Sequence, residues 1–173
     1  MVLAFLLSLA LAAADLGPEV GSTIPDAAPL SDALGDEGAT IVFVRSVSWC
    51  PYCKTQVTEL DDQAAAFEAE GRPLVFVSYD APALQESFAE SHSIESTFVA
   101  DEGSAIIQAF GLLNEQHRPG SRAYGIPHPA VFVVDENGVI EAKLYEDDYA
   151  TNSKSYRNRP AVETILAAVK EAD

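Results

Sequence analysis

Apolar residues in this chain occur in two patterns, unbroken runs and spacings of three or four, and the two alternate along its length. Residues 39–45 (Ala-Thr-Ile-Val-Phe-Val-Arg) and 74–79 (Leu-Val-Phe-Val-Ser-Tyr) are β-branched and aromatic almost throughout. Such runs read as strands covered on both faces. Between them Val57, Leu60, Ala64 and Phe67 recur at helical steps, and Gly71 with Pro73 supplies a stop, so one helix to about Glu70 is predicted.

Asp80-Ala-Pro opens a second helix through Leu84, Phe88 and Ala89 to about His92, and Thr97-Phe98-Val99 reads as a short strand. A third helix is expected over 104–110, ending at Gly111, and 112–128 reads as loop. Residues 130–134 and 139–144 form two strand patterns joined through Asn137-Gly138, a strong hairpin signal that makes the pair antiparallel. Residues 145–160 read as a polar loop, and 161–170 as an amphipathic helix with Val162, Ile165, Leu166 and Val169 inward. Crossover helices between the early strands and a hairpin at the end define an α/β fold. It is a central mixed β-sheet with helices on both faces.

The ends divide differently. Residues 2–14 are apolar and uncharged up to Asp15, too short to span a membrane and ending in small residues. They read as a signal peptide over 1–14, although no Lys or Arg precedes the apolar run. The mature protein is then expected to be exported, periplasmic or extracellular, with no membrane span after cleavage. Residues 15–38, rich in Gly, Pro, Asp and Ala, read as an extended N-terminal segment with a short strand near Ser22-Thr23-Ile24. Residues 39–173 make the folded domain.

Chemistry enters with the only two cysteines, in Trp49-Cys50-Pro51-Tyr52-Cys53-Lys54, directly after the first strand run. Two intervening residues put both sulfurs on the first turn of a helix, where free backbone N–H groups and the helix dipole favour a thiolate. Pro51 suits the first helical position, since its missing N–H has no partner there. With no other cysteine and three scattered histidines, a zinc site lacks ligands, and no metal or cofactor is expected. A redox-active dithiol is the reading the motif supports. Lys54 and Arg45 are cations beside it, read either as favouring the thiolate or as merely solvated charges, and Glu59, Asp61 and Asp62 as carboxylates on solvent-facing turns. The formal net charge is −17, from 27 acidic and 10 basic residues. So acidic a chain argues against nucleic acid or anionic membranes as partners.

The order of elements and several motifs together resemble the thioredoxin superfamily, in its redoxin branch of alkyl-hydroperoxide-reductase-like and peroxiredoxin-like proteins. The matching pieces are Val42-Phe43-Val44-Arg45 leading into the cysteine motif, Val77-Ser78-Tyr79-Asp80, Phe110-Gly111-Leu112, residues 125–135 and Tyr156-Arg157-Asn158-Arg159-Pro160. The resemblance implies a thioredoxin-like fold and a cis-proline at Pro129, facing the dithiol across a groove that Trp49, Pro51, Tyr52 and His128 also line. It also implies an external thiol as electron donor or acceptor.

Peroxide-reducing relatives carry Thr or Ser three residues before the reacting cysteine, Pro seven before it, and an Arg on a neighbouring strand. This chain has Val47 and Phe43 at the first two places, and Ala130 and Val131 where the Arg is sought. The Cys-Pro-Tyr-Cys tetrapeptide resembles that of glutaredoxins, without their glutathione-binding pattern. The expected activity is therefore thiol–disulfide exchange on a protein or small-molecule disulfide, with Cys50 as the more exposed nucleophile and Cys53 resolving. Two alternatives stand beside it: an atypical two-cysteine peroxidase acting on hydroperoxides, and a non-catalytic domain with one inert disulfide.

Overall fold

The computed structural model describes residues 15–34 and 38–172, so the leader reading lies outside the described residues. Five strands, β1 (Ala39–Phe43), β2 (Leu74–Ser78), β3 (Thr97–Ala100), β4 (Ala130–Val134) and β5 (Ile140–Tyr145), form one mixed sheet in the order β3-β2-β1-β4-β5. β1 pairs parallel with β2 and β2 with β3, while β1–β4 and β4–β5 are antiparallel. The hairpin closes as Asn137-Gly138 predicts: Asp135 Oδ1 accepts from the Asn137 and Val139 amides, and Gly138 takes the positive φ of 73° that the turn requires.

The helices are α1 (Ala28–Ser31), α2 (Pro51–Asp61), α3 (Ala64–Ala69), α4 (Pro82–His92), α5 (Ala105–Ala109) and α6 (Val162–Glu171), with a 3-10 turn at Ser155–Arg157. Alternate residues of the central strands face opposite cores. Ile41, Phe43, Val77 and Phe132 pack with Leu30 and α5 on one side, and Val42, Phe76, Val131 and Val133 with α2, α3, α4 and α6 on the other. Among the described residues no helix is long and apolar enough to cross a membrane.

The single helix expected to Glu70 is instead two. Gln63 N bonds back only to Leu60 O and Ala66 N to Gln63 O, three-residue steps that tighten the chain between α2 and α3. Asp61, at the end of α2, accepts from the amides of Glu95 and Ser96 before β3, so it is not simply a solvated carboxylate. The segment before β1 is woven into the fold. Leu16, Ile24 and Leu30 are buried, and a bridge between Thr23 and Val139 stands where a short strand was expected.

Phe43 sits where the strand carrying the dithiol meets the first core, with its ring centroid 4.8 Å from that of Phe110 and 5.9 Å from that of Phe132. Phe43→Ala leaves a cavity among fully buried rings and is expected to cost about 3–5 kcal/mol, measured by urea unfolding.

Candidate active site

β1 ends at the sheet centre, and the chain then crosses over its edge through Ser46, Val47, Ser48 and Trp49 before α2 begins. A buried carboxylate from the neighbouring strand end holds this crossing. Asp80 Oδ1 accepts from Ser46 Oγ at 2.7 Å; Oδ2 accepts from the Val47 amide at 2.7 Å and from Ser78 Oγ at 2.8 Å. Ser46 Oγ in turn accepts from the amides of Ser48 and Trp49 at 3.0 and 3.3 Å. Gln85 Nε2 extends the network by donating to Ser78 Oγ and the Val99 carbonyl. The side-chain oxygens of Ser46, Ser78 and Asp80 all find partners in this network, which fixes the backbone just ahead of the cysteines.

Cys50 is the N-cap of α2, extended at φ −93° and ψ 107°, and Pro51 follows as the first helical residue. The Cys53 amide donates to Cys50 Sγ at 3.3 Å, and Lys54 N donates to the Cys50 carbonyl at 3.1 Å. The two cysteines are joined as a disulfide with Cα atoms 5.3 Å apart. The helix start thus points one backbone donor, the Cys53 amide, at the Cys50 sulfur. Cys50, read as the more exposed of the two, is itself buried: it is 1% exposed and Cys53 0%, packed in one core cluster with Val47, Val57 and Leu60.

Cations gather around this dithiol although the chain is strongly acidic. Arg45 is not the solvated charge that one reading made it: it is buried, its guanidinium 3.8 Å from the Tyr156 ring centroid and 5.1 Å from that of Trp49. Arg122 lies 4.9 Å from the centroid of the same Trp49 ring, and the indole Nε1 donates to the Tyr79 hydroxyl at 2.9 Å. Tyr52 is partly exposed and meets Tyr156 edge to face. From the other side Arg159 Nη2 approaches Cys53 Sγ to 3.5 Å. Burial is the main cause holding the Arg159 pKa down to about 10, with the Arg45 charge adding to it. The polar stretch before α6 thereby delivers the cation that sequence reasoning sought on β4. Its one visible signal was two arginines, Arg157 and Arg159, in a chain with few cations.

Of the proposed groove residues, Pro51, Tyr52, His128 and Pro129 divide among three hollows, and Trp49 lines none of the three. Pro51 and Tyr52 line a cavity of about 550 Å³ with Thr55, Gln56, Arg157 and Arg159. Pro129 borders a small void with Gln56 and Arg159. His128 faces a separate cavity of about 590 Å³ with Tyr149 and Gly111. The cis-proline expectation is corrected, since no peptide bond among the described residues is cis. The His128 amide donates to the Leu112 carbonyl at 2.7 Å, and Leu113 bridges Pro127 just ahead of β4. His128 is itself neutral: burial first, then His117 and Arg45, push its pKa down to about 4.

A dithiol at the start of the helix that follows the central strand of such a sheet defines a thioredoxin-fold redox protein. Residues 23–143 match the model of the AhpC/TSA family, and the chain belongs to that family. It is 27% identical over 147 residues to peroxiredoxin Bcp of Escherichia coli K12, covering 83% of this chain and 90% of the relative. It is 26% identical over 109 residues to chloroplastic peroxiredoxin Q of Arabidopsis thaliana, covering 63% of this chain and 47% of that one. In fold it is similar to peroxidoxin BcpB of Mycobacterium tuberculosis, with TM-score 0.67, 18% identity, and 91% and 98% of the two chains covered. Reduced Prx3 of Vibrio vulnificus in complex with hydrogen peroxide gives TM-score 0.71 at 18% identity, covering 88% and 99%. The protein is a peroxiredoxin-like oxidoreductase.

Two outcomes test the site. Asp80→Asn keeps the shape but turns one acceptor oxygen into a donor facing Ser46 or Val47. It is expected to cost about 1–3 kcal/mol in denaturant unfolding and to broaden the Trp49 environment in fluorescence. The depressed pKa of His128 means that the unfolded chain binds a proton between about pH 6.5 and 4 that the folded chain refuses. The His128 contribution to stability is therefore complete above pH 6.5 and is lost as pH falls toward 4. Subtracting the stability profile of His128→Gln from that of the parent should isolate a difference confined to that window.

Proposed function

We propose that this protein is a thiol-dependent peroxidase in which Cys50 attacks a hydroperoxide and Cys53 resolves the product. The observation that carries this reading is the enclosure of both cysteines, 1% and 0% exposed, with Pro51, which follows Cys50, and Arg159, which faces Cys53 Sγ, lining a cavity of about 550 Å³. A small hydroperoxide reaches such a sulfur far more readily than a folded protein's disulfide, which must align its S–S bond with the attacking thiolate. The relatives named for peroxiredoxin activity support the same choice. The disulfide exchange expected from the tetrapeptide alone is the coarser reading.

In the cycle the Cys50 thiolate, capped by the Cys53 amide, attacks the distal peroxide oxygen. The O–O bond breaks, Cys50 becomes a sulfenic acid, and the alkoxide or hydroxide leaves and takes up a proton. Cys53 then attacks Cys50 Sγ, the S–O bond breaks, water departs, and the disulfide remains. Two equivalents of an external thiol restore the dithiol and leave as a disulfide. Val47 lends no hydroxyl to the peroxide, and the Ser46 hydroxyl is committed to Asp80. Polarisation of the O–O bond therefore falls to the backbone N–H groups of the helix start and to the nearby guanidinium groups of Arg45 and Arg159. Export remains part of this proposal, on the strength of residues 2–14.

Disulfide exchange is retained as a second reading because Cys-Pro-Tyr-Cys caps α2 in the geometry that favours it. Rapid mixing of reduced protein with hydrogen peroxide and with an organic hydroperoxide separates the two. The expected result is oxidation at least a hundredfold faster than that of free cysteine, abolished in Cys50→Ser, with a dimedone-trappable sulfenic acid in Cys53→Ser. Oxidation no faster than free cysteine, together with brisk insulin-disulfide reduction, would sink the peroxidase reading.

A further inference from the structure

Arg159 is an unusually placed cation. It follows the 3-10 turn ahead of α6, its Nη2 faces Cys53 Sγ at 3.5 Å, and its Nε and Nη1 are buried with no protein acceptor. Arg72, Lys143 and Lys170 each have a carboxylate within 4.0 Å. Among the described residues Arg159 has none. A buried guanidinium with donors unmatched is costly unless a charge comes to meet it. In the disulfide the facing sulfur is a weak acceptor. On reduction that same atom can carry a full negative charge.

We propose that Arg159 is the charge partner of a Cys53 thiolate, so that the oxidised state leaves the cation unpaired and the reduced state pairs it. Its role divides from that of the helix start, which serves Cys50 through the Cys53 amide. When a thiolate reductant attacks Cys50 Sγ, the S–S bond breaks and its electron pair goes to Cys53 Sγ, beside Arg159. Under the peroxidase reading, on which this half-step rests, the same pairing readies Cys53 to attack the Cys50 sulfenic acid. The thiolate pairing itself holds for either chemistry. The other charged or titratable groups about the pair are Cys50 at the N-cap, Tyr52, Lys54 and Glu59 on α2, Arg45 after β1, Tyr145 and Glu146 at the end of β5, and Tyr156 and Arg157 in the 3-10 turn. Arg45 works with Arg159 toward a thiolate and Glu146 works against it.

Thiolate absorbance titrations in single-cysteine backgrounds test the assignment. In Cys50→Ser, adding Arg159→Gln is expected to raise the Cys53 pKa by roughly one unit or more, with partial recovery in Arg159→Lys. In Cys53→Ser, the same Arg159→Gln change should move the Cys50 pKa by less than half as much. In the intact pair it should make the disulfide harder to reduce in a glutathione titration. Arg159→Met, which keeps the aliphatic stem packed, gives the same readouts should the glutamine variant fail to fold. An unmoved Cys53 pKa, or equal shifts at both cysteines, overturns the proposal. None of these readouts uses peroxide, so failure here is separable from failure of the peroxidase reading.

Discussion

Asp80 carries a carboxylate into the interior at the end of β2, where it is 4% exposed, and donors from two chain segments converge on it. Everything about the dithiol depends on that convergence. The crossing from β1 to α2 contains no regular hydrogen bonding of its own, so its amides at Val47, Ser48 and Trp49 need acceptors. Asp80 and Ser46 supply them, and the crossing then has one shape. That shape sets Cys50 at the N-cap, Pro51 at the first helical position and Trp49 against Tyr79. A flexible crossing would leave the Cys53 amide no fixed sulfur to meet.

Charge is distributed against the trend of the chain. The net charge of −17 would by itself disfavour any thiolate, yet Arg45, Arg122, Arg157 and Arg159 are placed on the rings and sulfur of the dithiol region. Aromatic faces hold three of them where carboxylates would have neutralised their effect. Trp49 and Tyr156 keep these guanidiniums local while leaving their charge available.

Most of the fold was legible in the sequence because its sheet is built from unambiguous runs. Residues 39–43 and 74–78 are covered on both faces, and no helical pattern competes with them. The Asn137-Gly138 turn announced its own geometry. What escaped reading depended on contacts distant in the chain. The break after Asp61 reflects a carboxylate turned toward Ser96, and the burial of Arg45 reflects a ring supplied by Tyr156. In the candidate site the two cysteines and the cap were readable from spacing alone. Arg159 was not, since a polar loop 106 residues from Cys53 gives no local sign of where its side chain ends. His128 and Pro129 were placed by resemblance, and the structure puts them at two other hollows, with the His128 amide tied to the Leu112 carbonyl.

The central claim is that peroxide oxidation is stored as the Cys50–Cys53 disulfide. Intact-mass analysis of the reduced protein, quenched at short times after one equivalent of hydroperoxide, tests it most directly. The account requires loss of two hydrogens per chain with no added oxygen, complete before free cysteine in the same mixture has reacted. Retention of both thiols, or accumulation of oxygen adducts without disulfide, would contradict it.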